Sequence, residues 1–183
     1  SAGSGYYDIS GGAGTDTVDF SGFGAGISAF LADREIWTRD ASTATGWILK
    51  ANIASVENLS GTAYADDLYG DSGDNVINAG AGNDLLHGQG GNDTLLGGSG
   101  YDVLDGGSGN DTGDFSDFGA GVVAFLGDRE VWTRDATTFT GWRLKASIVN
   151  VENVTGTSFA DTLYGDNGNN VLTGGAGADT LIG

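Results

Sequence analysis

From Gly80 the chain reads GAGNDLLHG, from Gly88 GQGGNDTLL, from Gly97 GGSGYDVLD and from Gly106 GGSGNDTGD. Related copies begin at Gly11 (GGAGTDTVD) and Gly174 (GGAGADTLI). The shared pattern is Gly-Gly-x-Gly-x-Asp-x-aliphatic-x, nine residues long. Self-similarity at one fixed period marks a repeat architecture. A flexible Gly-rich linker has this composition but not this phase. Here an aliphatic residue returns at one position, as Leu86, Leu95, Leu104 and Leu181. The spacing predicts six residues of turn and then a short strand whose middle side chain points into a core.

The residue types suit a hard cation. Glycine permits positive φ and close backbone approach, so the turn can bend with its carbonyls inward. Calcium takes roughly six to eight oxygens from carboxylates and carbonyls. One Asp per turn supplies charge, and the bent backbone supplies the other oxygens. Some copies are degenerate. The turn Gly61-Thr62-Ala63-Tyr64-Ala65-Asp66 keeps its Asp but loses two glycines. Asn75 and Asn170 stand where Asp is expected, so those turns should hold an ion weakly or be structural only. Glu57 and Glu152 fall at the Asp phase one repeat earlier, where a carboxylate either caps the first ion or is a surface acid.

These repeats resemble the repeats-in-toxin (RTX) group of secreted bacterial proteins. The resemblance implies an all-β fold, a right-handed parallel β-roll (a β-solenoid) in which two nonapeptides make one coil. Turns on one side are then about 18 residues apart, with calcium ions between them. It pairs Asp66 with Asp84, Asp84 with Asp102, Asp93 with Asp111, and Asp161 with Asp179. The expected metal-site residues are these Asp residues and the turn glycines Gly80, Gly82, Gly88, Gly90, Gly98, Gly100, Gly107, Gly109, Gly175 and Gly177. Several calcium ions are expected, with no other cofactor.

A longer repeat lies over the short one. Residues 11–88 realign on 106–183 without a gap, each residue 95 positions from its counterpart. Roughly 50 of about 78 aligned positions are identical, which sets architecture before any local reading. AFLADREIWTRDAS from Ala29 matches AFLGDREVWTRDAT from Ala124, and GWILKA from Gly46 matches GWRLKA from Gly141. The expected organisation is two 95-residue units, about 1–95 and 96–183. Within them come a partial roll end (1–19), a β insert (20–51), roll (52–114), a second β insert (115–146) and roll (147–183). All seven basic residues and all four tryptophans lie in the inserts. Alternation in Ile27-Ser28-Ala29-Phe30-Leu31 and Glu35-Ile36-Trp37-Thr38 predicts strands joined at Asp33-Arg34-Glu35, with a third strand at Gly46–Lys50. A short β-meander or an irregular wide β-coil is expected to pack beside the roll, with Phe30, Trp37 and Trp47 as its small core. Surface ion pairs are the default role of Arg34 and Arg39. The competing use of Trp and Arg is a glycan-binding or cell-surface-binding face.

The chain has 183 residues, a net charge of -18 and no Pro, Cys or Met. Without cysteine there is no disulfide framework, which leaves metal as the staple. The acidity disfavours nucleic acid and anionic membranes as partners. No apolar run approaches the roughly 18 residues of a membrane span. The missing initiator Met suggests a segment of something larger. We find no catalytic constellation and expect no enzyme. The only histidine, His87, has Ile182 as its counterpart. The sequence therefore points to a secreted or cell-surface structural segment, an adhesin stalk, surface layer or fibre, stacking head to tail on adjacent units or copies of itself. The runner-up is a secretion and folding module of an exported enzyme.

Overall fold

A computed structural model of the chain describes residues 6–39, 46–134 and 141–183. SAGSG at the start lies outside them, as does the Trp47 side chain. The described residues form two β-sheets and no helix, hence none that could cross a membrane.

Each nonapeptide contributes one strand, and consecutive nonapeptides alternate between the sheets. Strands Asp67–Tyr69, Leu85–Gly90 and Asp102–Ser108 lie side by side and parallel in one sheet. Val76–Asn78, Thr94–Leu96 and Thr112–Asp114 do so in the other. Partners are 18 residues apart, so like positions stack: Leu68 on Leu86 on Leu104, and Ile77 on Leu95. All five side chains are fully buried. The two aliphatic ladders face each other and form the core between the sheets. Leu181 keeps the phase, paired with Leu163, but is 47% exposed because only Leu163 flanks it among the described strands.

Strand Thr112–Asp114 puts Gly113 where a core side chain belongs, and Phe115 (2% exposed) turns in beside it. A Cβ built on Gly113 meets Phe115, Val151 and Leu104 at 3.4, 3.6 and 3.8 Å, ordinary van der Waals contact. The first unit has Val18 at this place. Gly113→Ala is therefore expected to raise stability by about 0.4–1 kcal/mol, chiefly by restricting the unfolded chain. A urea midpoint at saturating calcium measures it, and a lower midpoint would contradict the assigned space.

The inserts do not pack beside the roll. Each is spliced into one of its sheets. Ile27–Phe30, Glu35–Arg39 and Trp47–Ala54 form an antiparallel meander with a register shift between Ile36 and Trp37. Ile27–Phe30 then pairs parallel with Asp67–Tyr69, and Trp47–Ala54 pairs parallel with Tyr7–Ser10. In the opposite sheet Thr17–Asp19 pairs directly with Asn58–Ser60. The second insert repeats this with Val122–Phe125, Glu130–Arg134 and Trp142–Val149. Each insert thus adds two strands to one sheet alone. This gives four of the five strands by which the 12-stranded sheet exceeds the 7-stranded one, and the fifth arises because the first and last described strands both lie in the longer sheet. At strand spacing the longer sheet gains about 10 Å per insert. Phe20, Phe23, Ile27 and Ile36 in the first unit, and Phe115, Phe118, Val122 and Val131 in the second, lie against the core at these places.

The predicted insert core also needs correction. The inward positions are Ile27, Ala29, Ile36, Ala51 and Ile53, all at most 2% exposed. Phe30 and Trp37 alternate with them and face outward, half-buried. Phe30 stacks on Tyr69, which stacks on His87, at centroid distances of 4.8 and 4.7 Å. Trp37 Nε1 donates to Glu35 Oε2 at 3.0 Å, and Trp132 does the same to Glu130. The turn falls on residues 31–34, with Arg34 at φ 63°, and Glu35 already belongs to the next strand. Among the described residues Arg34 makes no ion pair. Lys145 pairs with Asp102, and the His87 ring nitrogen Nδ1 lies 3.4 Å from Asp105 Oδ2.

Candidate metal centre

The turns carry a ladder of carboxylates. Each Asp side chain reaches back one coil with one oxygen. Asp84 Oδ1 accepts the Asp66 N–H at 2.9 Å, and Asp102 Oδ1 accepts the Asp84 N–H at 3.1 Å. On the other side Asp93 accepts from Asn75 at 2.8 Å, and Asp111 from Asp93 at 2.7 Å. Asp179 accepts from Asp161 at 3.0 Å. The expected Asp pairs are therefore neighbours in the fold.

The second oxygen separates the turns into kinds. In Asp16, Asp84, Asp93 and Asp111, Oδ2 is buried with no hydrogen-bond partner. A buried carboxylate oxygen without a donor is strongly unfavourable unless a cation meets it. In Asp66, by contrast, Oδ2 accepts the Thr62 N–H at 2.6 Å and Oδ1 accepts the Thr62 hydroxyl at 3.0 Å. Asp161 and Thr157 repeat this. Asn75 is also satisfied: Oδ1 accepts the Asp71 N–H, and Nδ2 donates to the Glu57 carbonyl at 2.8 Å. Asn170 does the same with Asp166 and Glu152. The degenerate turns have replaced an ion requirement with internal hydrogen bonds. In Asp102, Oδ2 meets the Lys145 ammonium.

Glu57 and Glu152 sit in the ladder too. Glu57 accepts the Asp16 N–H and Glu152 the Asp111 N–H, both at 2.9 Å and across 41 residues. The longer glutamate spans the step where the insert intervenes. Asp16 joins the ladder beyond the expected site residues, and the two glutamates, expected either to cap the first ion or to be surface acids, sit in the ladder itself.

The turn backbone fixes the phase of the glycines. Positive φ occurs at the second and fourth positions: Gly80 and Gly82, Gly98 and Gly100, Gly107 and Gly109, Gly175 and Gly177. In the Asp93 turn it falls on Gln89 (75°) and Gly91 (100°), not on the expected Gly88 and Gly90. Gly88 fills the first position instead, where a Cβ would strike Asp93 Oδ2. Among the described residues no three carboxylate, imidazole or thiol groups converge on one point. A cation here would therefore take carboxylates from the ladder and its remaining oxygens from turn carbonyls, which is calcium chemistry.

Residues 60–95, 87–117 and 154–183 match a family model described as the RTX calcium-binding nonapeptide repeat (4 copies). These stretches are RTX repeats. RTX nonapeptides bind calcium, and the orphaned Oδ2 atoms of Asp84, Asp93 and Asp111 lie within the matched stretches and fit such an ion. No curated protein matches the chain.

Burial pushes the carboxyls of Asp84 and Asp93 toward the protonated form, and neighbouring carboxylates add to it. Asp84 rises from 3.8 to about 7, through desolvation and then the charges of Asp102 and Asp66. Asp93 rises to about 6, through desolvation and then Asp111, Asp74 and Asp71. An acid whose pKa is higher in the fold than in the unfolded chain favours the fold at low pH. The metal-free fold loses this advantage as pH rises from about 4 to about 7. Lowering pH from 8 to 5 in chelator should therefore increase the β signal in circular dichroism. A decrease would contradict the burial of these carboxylates.

Proposed function

We propose that this chain is a calcium-set rod segment of an extracellular bacterial protein, an adhesin stalk, surface layer or fibre, in which 95-residue units add end to end. The observation that carries the reading is the joint inside the chain. Strand Asp102–Ser108 of the roll pairs parallel with both Leu85–Gly90 and Trp142–Val149, so the sheet runs from one unit into the next without a break. The end faces repeat the two sides of that joint. Thr180–Ile182 is the counterpart of Leu85–His87, and Tyr7–Ser10 is the counterpart of Asp102–Asp105. Val171, Leu181 and Ile182 are exposed at one end, Tyr6 and Tyr7 at the other. Contacts between unlike faces that do not close give open filaments. RTX repeats occur in secreted bacterial proteins, and the calcium-rich extracellular medium suits their turns.

Light scattering and electron microscopy at rising calcium test the reading. End-to-end rods lengthening with calcium and concentration are expected. A strictly monomeric chain at high concentration and saturating calcium would overturn stacking between copies.

A further inference from the structure

Lys145 is 2% exposed and lies against Asp102, which is 0% exposed. Its Nζ is 2.6 Å from Asp102 Oδ2 and donates to the Gly100 carbonyl at 3.2 Å. It also stands 5.1 Å from the centroid of the Phe118 ring. A buried ammonium on a carboxylate is costly unless its geometry and other donors are satisfied. Here the ammonium takes a carboxylate oxygen and a turn carbonyl, the two oxygen types that calcium takes from such a turn.

The place in the fold explains the substitution. The row Asp66, Asp84, Asp102 cannot continue, because 18 residues beyond Asp102 stands Ala120. The insert strand Trp142–Val149 occupies the next step of the sheet, with Ala146 paired to Asp102. Lys145 precedes that partner and turns its side chain into the row. In Asp84 the corresponding Oδ2 is buried and orphaned. The first unit lacks the pair: Tyr7 stands at the place of Asp102, and Lys50 borders an apolar cavity of about 310 Å³ lined also by Tyr7, Phe20 and Phe23.

We propose that the Lys145 ammonium is a tethered cation that ends the Asp66–Asp84–Asp102 row in place of a calcium ion, and so docks the second insert on the roll without metal at that step. The inference rests on the calcium reading of the regular turns, and two variants separate its failure from theirs.

The number of calcium ions bound per full chain at saturation, from equilibrium dialysis with elemental analysis, is compared for wild type, Asp84→Asn and Asp102→Asn. Asp84→Asn should lose at least one ion, whereas Asp102→Asn should keep the wild-type number, since its amide oxygen still accepts from Lys145. No loss in Asp84→Asn would overturn the calcium reading. A loss in Asp102→Asn equal to that in Asp84→Asn would overturn the tethered cation alone. The wild type supplies a second readout that needs no variant to fold. With only two lysines in the chain, nitrogen-15 NMR of the side-chain ammonium groups is resolvable, and Lys50→Arg assigns the signals. The Lys145 signal should stay protected from solvent exchange at saturating calcium. Its loss as calcium saturates would mean that the ion displaces the ammonium, and would overturn the proposal.

Discussion

Asp93→Ala should raise the calcium concentration at which the chain folds by roughly ten-fold or more and lower the number of ions bound, while Asn75→Ala should leave that number unchanged. The two residues occupy equivalent turns 18 positions apart and differ in how the second side-chain group is satisfied. Asp93 leaves a buried oxygen with no donor, and Asn75 leaves none. Losing a charged ligand costs about 1.5–3 kcal/mol, and each 1.4 kcal/mol is ten-fold in an equilibrium constant. Asn75→Ala has a different signature. It removes buried hydrogen bonds to Asp71 and Glu57, a loss of about 1–3 kcal/mol felt at every calcium concentration. In chelator Asp93→Ala relieves the repulsion from Asp111, Asp74 and Asp71 but loses the buried hydrogen bond from the Asn75 N–H, so the two effects oppose each other. Equilibrium dialysis at saturating calcium, beside calcium titrations followed by circular dichroism, separates the two. An ion count in Asp93→Ala equal to that in Asn75→Ala would show that the orphaned oxygens do not mark the ligands.

Leu86→Ala should cost about 2–5 kcal/mol at saturating calcium. Leu86 is fully buried between Leu68 and Leu104 in a core that receives one aliphatic side chain per nonapeptide. A ladder this thin cannot close around the void. Against the 5–15 kcal/mol that is usual for whole domains, the loss is a large share of stability. Leu181→Ala has the same repeat phase but starts 47% exposed, so its effect should stay within about 0.5 kcal/mol in the monomer. Urea midpoints of the two variants at one calcium concentration decide this, and equal losses would contradict the placement of the core.

The ladders were legible because one position of the repeat carries an aliphatic in every copy but that of Gly106. Leu85, Leu96 and Val103 adjoin Leu86, Leu95 and Leu104, and the nine-residue phase alone picks out the inward ones. The inserts have no such phase. Ala29 and Phe30 are both apolar, and composition favours the larger as core. The register chooses the smaller, since Ala29 pairs with Leu68 and Ile36 on the inward face. The same alternation sends Trp37 outward beside buried Ile36. That the meander enters the sheet could not be read locally, because it depends on Tyr7–Ser10 and Asp67–Tyr69 waiting as partners on either side. In the Asp93 turn Gln89 takes a place usually held by glycine and displaces the visible glycine run. Counting back from Asp93 recovers the phase. Thr62 was legible in principle, since a threonine hydroxyl readily bonds a nearby carboxylate in a turn. Lys145 and Asp102 lie 43 residues apart, and the one sequence signal is the Ala120 that breaks the Asp row.

Circular dichroism of the full chain before and after exhaustive calcium removal, near neutral pH, tests calcium-set folding most directly. Ordering short Gly-rich strands is entropically costly, and buried carboxylates repel one another until an ion offsets them. In chelator the chain is expected to be mostly disordered, and in millimolar calcium β-rich, with full recovery on readdition. A β spectrum that survives calcium removal unchanged would contradict the role assigned to the orphaned oxygens of Asp84, Asp93 and Asp111.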